Sequence, residues 1–198
     1  AAVRIEELVN YFDYDYEAPS DRSVPFSVHA EVGPSPWKAG NKLVHIGLQG
    51  WVEQGTPPPR NLVFLVDVSG SMSSQDKLPL VKAALSGLAG ELGRQDKVSI
   101  VVYAGAAGMV LEPTNDTAKI RAALDRLQAG GSTAGAAGLQ LAYNIARDNF
   151  VDGGVNRIVI GTDGDFNVGV SDTKALIEMI ERERDNGVTL TVLGFGSG

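Results

Sequence analysis

Three oxygen-bearing side chains stand at a spacing of two residues: Asp67, Ser69 and Ser71. They directly follow an unbroken apolar run at 62–66, which is typical of a strand that is buried on both faces. Residues i, i+2 and i+4 share one face while a chain stays extended, so the three oxygens can converge on one point. Gly70 carries no side chain and lets the backbone turn over that point.

Two further oxygen-bearing groups follow later in the chain. Thr133 lies in the glycine-rich loop at 129–135, which leads into a predicted helix, and Asp163 follows the apolar run at 157–161. A single Ser, Thr or Asp in such a place is most often a cap or a turn residue. The coincidence of all five groups indicates a shared site, provided that the strands at 62–66 and 157–161 are neighbours in the sheet.

The composition restricts the chemistry of such a site. The 198 residues include no Cys and only two His, His29 and His45. A disulfide framework, a thiolate metal site, a Cys nucleophile and an iron–sulfur cluster are therefore excluded. A metal site in this chain must be built from oxygen, which favours hard cations such as Mg²⁺, Mn²⁺ or Ca²⁺.

The charge of the chain argues against a nucleic-acid partner. Lys and Arg total 17, Asp and Glu total 24, and the formal net charge is −7. No block of basic residues is present to neutralise phosphates. No apolar run approaches the ~20 residues that a membrane span needs, so we expect no membrane insertion within this chain.

From residue 61 onward, strand and helix patterns alternate. Apolar runs that are typical of buried strands lie at 62–66, 98–103, 157–161 and 188–195, with a short edge strand at 109–111. Apolar residues recur at helical spacing in 78–92, 120–127, 139–150 and 176–180. This alternation predicts an α/β fold, a doubly wound and mostly parallel sheet with helices on both faces. Such sheets bind ligands at the carboxyl ends of strands, where the strand order reverses.

Residues 1–60 have a less regular sequence pattern and contain seven of the nine prolines. The elements predicted there are a short helix at 3–12, strands at 25–32 and 42–51, and a stiff proline-rich connector at 55–60. We therefore predict two parts: an N-terminal extension (1–60) and an α/β domain (61–198).

The run Asp67-Val68-Ser69-Gly70-Ser71 resembles the Asp-x-Ser-x-Ser signature of the von Willebrand factor type A domain. Thr133 in Gly-Gly-Ser-Thr and Asp163 in Thr-Asp-Gly match the other two motif positions of that family, and the resemblance covers roughly residues 61–198. It implies a Rossmann-like fold. The run at 64–72 is most similar to the bacterial branch, in which a short N-terminal extension precedes the domain and a further C-terminal domain follows it.

The resemblance implies a metal-ion-dependent adhesion site. By that resemblance Ser69 and Ser71 ligate the metal directly, Thr133 does so directly or through water, and Asp67 and Asp163 lie in or just behind the ligand shell. Mg²⁺ is the implied ion, with Mn²⁺ or Ca²⁺ as substitutes. The implied partner is a protein that supplies an Asp or Glu carboxylate, and the chain is not expected to be an enzyme.

The resemblance also carries expectations about context. It favours the bacterial cell envelope or the exterior. Members of the family usually continue past the strand that ends near Phe195 with a further helix, so the domain is expected to be truncated at its C-terminus. The last strand, around Leu190, Val192 and Leu193, would then lack that helix as cover.

Two other function classes fit parts of the pattern. Asp67, which follows a buried strand, could be the nucleophile of a Mg²⁺-dependent phosphohydrolase of the haloacid-dehalogenase type. Those enzymes, however, carry an acidic residue at the position of Ser69. In addition, no residue that could act as a general base lies near the loops. Dinucleotide binding requires Gly-x-Gly-x-x-Gly after the first strand, which this chain lacks. The glycine-rich stretch 130–138 is only a weak signal for anion binding. A metal-dependent protein-binding module is the leading hypothesis.

Overall fold

The computed structural model describes residues 4–52, 55–132, 135–164 and 173–196. The chain divides into two compact units, Ala1–Thr56 and Pro57–Gly198. The division falls inside the proline-rich connector, a few residues before the predicted boundary at residue 60.

The first unit contains one short helix and an antiparallel pair of strands. These elements are α1 (Ile5–Val9), β1 (Phe26–Pro34) and β2 (Lys42–Gly50). The two predicted strands are confirmed, and the helix is shorter than the predicted 3–12. It ends at Val9, where the side chain of Asn10 donates a hydrogen bond to the Glu6 carbonyl. Val3, which the predicted helix included, lies outside the described residues.

Both histidines of the chain contact Tyr16 within this first unit. The Tyr16 hydroxyl lies 2.8 Å from His45 Nε2, and the Tyr16 ring stacks on His29 with the ring centroids 4.9 Å apart. A Cβ atom on Gly47 would lie 2.2 Å from the Tyr16 ring, so glycine at position 47 leaves the space that the ring fills. The imidazoles of β1 and β2 are therefore engaged in the packing of this hairpin.

The second unit is built on a five-stranded sheet in the order β5-β4-β3-β6-β7. The strands are β3 (Arg60–Asp67), β4 (Lys97–Tyr103), β5 (Ala107–Thr114), β6 (Val155–Thr162) and β7 (Val188–Gly194). All neighbouring pairs are parallel except β4 and β5, which are antiparallel. The prediction of an α/β fold with a mostly parallel sheet is confirmed.

Helices cover both faces of this sheet. A 3-10 turn (Gly70–Ser73) precedes α2 (Leu78–Gly90), α3 (Thr117–Asp125), α4 (Gly135–Asp148) and α5 (Thr173–Asp185). Alternate residues of β3 point to opposite faces, so Phe64 packs in the core with α2 and α3 while Leu65 packs with α4. Within the described ranges, no helix has both the length and the apolar character needed to cross a bilayer.

Helix α2 approaches β6 closely at Gly161. A Cβ atom on Gly161 would lie 2.7 Å from Val81 Cγ1, closer than real side chains pack. Glycine at position 161 therefore lets α2 lie directly against the strand. Because Gly161 immediately precedes Thr162 and Asp163, this packing also fixes where the loop after β6 begins.

The strand order reverses between β3 and β6. The chain moves from β3 through β4 to β5 on one side, and β6 and β7 lie on the other. Val66 pairs with Gly161, which sets the carboxyl ends of the two strands side by side. The condition that the strands at 62–66 and 157–161 be neighbours is met, and their loops open where α/β sheets bind ligands.

Strand β7 is only partly covered in the part of the chain that the structure describes. The side chain of Val192 is 57% exposed, whereas Leu190 and Leu193 are partly buried. Leu190 packs with the core that contains α4, and Leu193 with the core that contains α2.

Candidate metal centre

Asp67, the last residue of β3, is fully buried and its carboxylate accepts hydrogen bonds from neighbouring groups. The Ser69 amide donates to Asp67 Oδ1 at 2.8 Å, and the Thr162 hydroxyl donates to Asp67 Oδ2 at 3.4 Å. Both carboxylate oxygens are thus oriented by groups at the ends of β3 and β6. A carboxylate accepts about four hydrogen bonds or metal bonds, so each oxygen retains a lone pair for a further ligand.

The hydroxyls of Ser69 and Ser71 converge. Ser69 Oγ lies 3.1 Å from Ser71 Oγ, with Ser69 only 3% exposed and Ser71 exposed. The reason differs from the one expected from the sequence. The chain leaves the extended conformation after Ser69 and forms the 3-10 turn (Gly70–Ser73), and this turn brings the second hydroxyl back towards the first.

The glycine-rich loop is tied to this turn through its backbone. The Gly130 amide donates to the Val68 carbonyl at 2.7 Å, and the Gly70 amide donates to the Gly131 carbonyl at 3.0 Å. Gly131 has a φ of +86°, a left-handed conformation that favours glycine. The loop that leads to Thr133 therefore lies on the loop after β3. Thr133 itself lies outside the described residues.

Asp163, the first residue after β6, forms an ion pair with Lys77. Lys77 Nζ lies 2.9 Å from Asp163 Oδ2 and donates a second hydrogen bond to the Ser71 carbonyl at 3.1 Å. The Asp163 side chain is 4% exposed and that of Lys77 is 26% exposed. Asp163 is thus joined through the Lys77 ammonium to the turn that carries Ser71.

Tyr103 completes the buried wall behind Asp67. It is the last residue of β4, it is fully buried, and it pairs with Asp67 across the sheet. Burial raises the pKa of the Tyr103 phenol well above its usual value. A hydrogen bond with Thr162 lowers this pKa, and the negative charge of Asp67 raises it further. Tyr103 therefore stays a neutral phenol beside the carboxylate at physiological pH.

The donor set fits a hard divalent cation. Mg²⁺ takes six oxygens at about 2.1 Å, so two adjacent ligands of an octahedron lie about 3.0 Å apart. The separation of 3.1 Å between Ser69 Oγ and Ser71 Oγ matches this spacing. Among the described residues, no three His, Cys, Asp or Glu side chains gather as metal ligands would. A cation at this edge would draw on the hydroxyl oxygens of Ser69 and Ser71 as well as on carboxylates.

Two contacts at the site were not anticipated from the sequence, those of Lys77 and Thr162. Lys77 begins α2 without a side-chain cap, and a positive charge is unfavourable at a helix N-terminus. That local conflict was a usable signal that Lys77 is held by an acid elsewhere. Thr162 stands beside Asp163 in the sequence, but only the pairing of β3 with β6 shows that its hydroxyl reaches Asp67.

The geometry lends no support to a phosphohydrolase. Asp67 is fully buried, whereas a nucleophilic carboxylate must reach a phosphorus atom in an open site. His29 and His45 belong to the first unit, where they contact Tyr16.

Comparison with known families shows two matches along the chain. The sequence profile of the von Willebrand factor type A domain matches residues 62–165, a range that includes all five predicted site residues. A second profile, described as von Willebrand factor, matches residues 1–45. Each of the two predicted parts of the chain therefore contains a segment that matches a family model.

Two similar sequences come from bacterial proteins that are longer. The uncharacterized protein YfbK of Escherichia coli K12 is 42% identical over 205 residues, which cover 99% of this chain and 36% of YfbK. The uncharacterized protein sll0103 of Synechocystis is 34% identical, covering 70% of this chain and 32% of the relative. The chain thus spans about a third of the length of these relatives.

A solved structure supports the same assignment. The conserved hypothetical protein BatB from Bacteroides thetaiotaomicron superposes with a TM-score of 0.57 at 26% sequence identity, covering 68% of this chain and 65% of BatB. Together with the sequence profile over residues 62–165, this establishes the relationship. The chain belongs to the von Willebrand factor type A domain family, whose members commonly mediate protein interactions and are usually not enzymes.

Proposed function

We propose that this chain is a divalent-metal-dependent protein-binding module of the adhesion type. Its metal would be held at the carboxyl edge of the sheet, and it would bind an Asp or Glu side chain of a partner protein. The observation that carries the proposal is the approach of Ser69 Oγ and Ser71 Oγ to 3.1 Å beside the buried carboxylate of Asp67. We propose no enzymatic activity.

The residues of the chain divide the work of such a site. Ser69 and Ser71 would supply neutral hydroxyl oxygens, and Asp67 would supply negative charge from a position fixed by the Ser69 amide and the Thr162 hydroxyl. Asp163 would add a second carboxylate from the end of β6. Thr133 completes the proposed set on the basis of the family motif.

Neutral ligands favour capture of an acidic partner. Two hydroxyls cancel none of the formal charge of a dication, and the Asp163 carboxylate is already paired with Lys77. When Mg²⁺ or a similar ion is bound, it supplies an electrophilic centre that keeps some water ligands. A carboxylate can replace such a water, and it adds the negative charge that the chain itself supplies sparingly.

Two further parts of the proposal concern the whole protein. Relatives such as YfbK are about three times as long as this chain, which leaves room for the further C-terminal domain that the family resemblance implies. The bacterial relatives together with the adhesion-type site favour a location in the cell envelope or outside the cell.

Isothermal titration tests the metal site. We expect Mg²⁺ and Mn²⁺ each to bind the wild-type chain at one site, and Asp67→Ala to abolish that binding. Asp185→Ala removes an acid from the exposed end of α5, at the opposite edge of the sheet, and serves as the matched control with unchanged binding. No metal binding to the wild type would overturn the proposal.

Acetate then probes the carboxylate specificity. With Mn²⁺ bound, we expect acetate to displace metal-bound water, which lowers the water-proton relaxation rate in a saturable manner. Formamide, which has a similar shape and no charge, should have little effect. An acetate response that persists in Asp67→Ala, or that formamide reproduces, would contradict recognition of an acidic group by the metal.

A further inference from the structure

An ammonium group is built into the candidate metal centre. Lys77 Nζ lies 2.9 Å from Asp163 Oδ2 and 3.1 Å from the carbonyl oxygen of Ser71. Both acceptors belong to residues of the proposed ligand set. Because the Asp163 side chain is 4% exposed, water and salt screen this ion pair less than they screen a surface pair.

The position of Lys77 is set by its backbone and by the space around its stem. Its amide donates to the Ser74 carbonyl at 3.1 Å, and its carbonyl accepts from the Val81 amide at 2.9 Å in the first turn of α2. A Cβ atom on Gly196 would lie 3.0 Å from Lys77 Cε, so the stem runs closely past the backbone that follows β7. The ammonium is thus directed to Asp163 by contacts on two elements.

We infer that Lys77 sets the metal affinity of the site by acting as a permanent counter-cation to Asp163. The inference rests on the proposed function, since it concerns the same metal centre. Asp67 and Asp163 together carry a charge of −2, and Lys77 reduces the local total to −1. The positive charge of the Lys77 ammonium also repels a divalent cation at the site, because charges in this buried environment are poorly screened. The site therefore binds its metal more weakly than its two carboxylates alone would allow.

The same contact stabilises the site when no metal is bound. Without Lys77, Asp163 would be a buried carboxylate with its main positive partner removed, which is costly. With Lys77 present, the Asp163 carboxylate has a positively charged partner without metal as well as with it. With Lys77 present, metal binding therefore adds less to the folding stability than it would without Lys77.

Lys77→Met tests this inference, because methionine keeps an unbranched apolar stem and removes the charge. We expect Mn²⁺ to bind Lys77→Met about tenfold more tightly than wild type in isothermal titration, as removal of a nearby positive charge requires. Lys77→Arg keeps the charge and should bind within about twofold of wild type. Lys119→Met removes an exposed lysine of α3, near the opposite edge of the sheet, and should match wild type.

Thermal unfolding supplies a second readout. We expect Lys77→Met to melt at a lower temperature than wild type without metal, and to gain more from saturating Mg²⁺ than wild type does. Wild-type metal binding that is equal to or tighter than that of a folded Lys77→Met variant would overturn the inference and leave the proposed function intact. Failure of the wild type and every variant to bind metal would overturn both.

Discussion

Thr162, the last residue of β6, donates a hydrogen bond from its hydroxyl to Oδ2 of Asp67, the last residue of β3. The Thr162 oxygen also accepts a hydrogen bond from the Gly164 amide at 3.2 Å. One buried hydroxyl therefore joins the carboxylate at the end of one strand to the loop that begins with Asp163. The two halves of the candidate metal centre are aligned by this contact.

Replacement of this hydroxyl should weaken metal binding. In Thr162→Val the shape of the side chain is preserved, while Asp67 Oδ2 loses its donor and the Gly164 amide loses its acceptor. We expect the metal affinity to fall roughly tenfold, the size of effect typical of groups that orient metal ligands. Isothermal titration with Mn²⁺ measures the change.

Thr189→Val is the matched control for that experiment. The Thr189 hydroxyl on β7 accepts from Arg157 Nε at 3.0 Å, close to the start of β7 and thus at the opposite edge of the sheet. Its loss should affect stability without changing metal affinity. Equal affinity in Thr162→Val and wild type would show that Thr162 does not orient Asp67 for a metal.

The ion pair of Arg60 and Asp96 should stabilise the start of the central strand. Asp96 accepts hydrogen bonds from the Arg60 amide at 2.8 Å and from Arg60 Nε at 3.0 Å, and its side chain is 5% exposed. We expect Asp96→Asn to lower the free energy of unfolding by about 3 kcal/mol at neutral pH, because it leaves a half-buried guanidinium without its negatively charged partner. Urea denaturation at pH 7 measures this difference.

The stabilisation by the Arg60–Asp96 ion pair should depend on pH in a defined direction. Burial alone would raise the pKa of Asp96, but hydrogen bonds from Arg60 and Gly93 outweigh it and hold the pKa below its usual value. The stabilisation is therefore present above the unfolded-state pKa of about 3.9 and is lost as the pH falls through the lower folded-state pKa. A stability difference between wild type and Asp96→Asn that disappeared between pH 7 and pH 5 would contradict this assignment.

The close approach of α2 to β6 can be tested with a double-mutant cycle. Gly161→Ala places a methyl group against Val81 and should cost about 2 kcal/mol of stability by overpacking. Val81→Ala alone leaves a cavity and should cost a similar amount. In the double variant the new methyl group fills part of the cavity, so the combined cost should be at least 1 kcal/mol below the sum, as expected for contacting residues. Additive costs would mean that the two positions do not touch.

Helix α3 should depend on Asp116 as its N-terminal cap. The Asp116 carboxylate accepts hydrogen bonds from the amides of Ala118 at 3.0 Å and Lys119 at 3.2 Å. Asp116→Ala should lower the free energy of unfolding by about 1 kcal/mol, whereas Asp116→Asn keeps a capping oxygen and should cost much less. Equal losses in both variants, measured by urea denaturation, would point to the charge of Asp116 rather than to its capping bonds.

The sequence was most informative where one local pattern determines the outcome. The unbroken apolar run of β3 made a buried central strand predictable, because both faces of that strand are covered. Asn115 and Asp116 both precede the predicted helix at 120–127 and both carry side chains that can cap a helix, and the structure places Asp116 at the cap of α3. The helix at 3–12 was overestimated, since Ile5, Leu8 and Phe12 have apolar side chains that remain largely exposed.

The arrangement of the site depended on contacts that local patterns do not encode. The motif residues were predicted to share a site on the condition that their strands are neighbours, and the structure meets that condition for β3 and β6. The turn that brings Ser71 towards Ser69, the ammonium of Lys77 on Asp163 and the hydroxyl of Thr162 on Asp67 result from tertiary packing. Spacing alone could not predict them, because each joins segments that are separated in the chain or departs from the regular strand geometry.

The pairing of β3 with β6 brings together groups that are 95 positions apart in the chain. A peptide that carries the motif 67–71 alone therefore lacks Thr133 and Asp163, two of the five proposed groups, and no short excerpt of this chain can imitate the intact edge. Metal binding should be lost at the denaturant concentration at which the whole sheet unfolds. Metal binding would therefore report whether the strands are paired as in the native fold. The motif is short, but the site that it marks depends on the fold of the whole sheet.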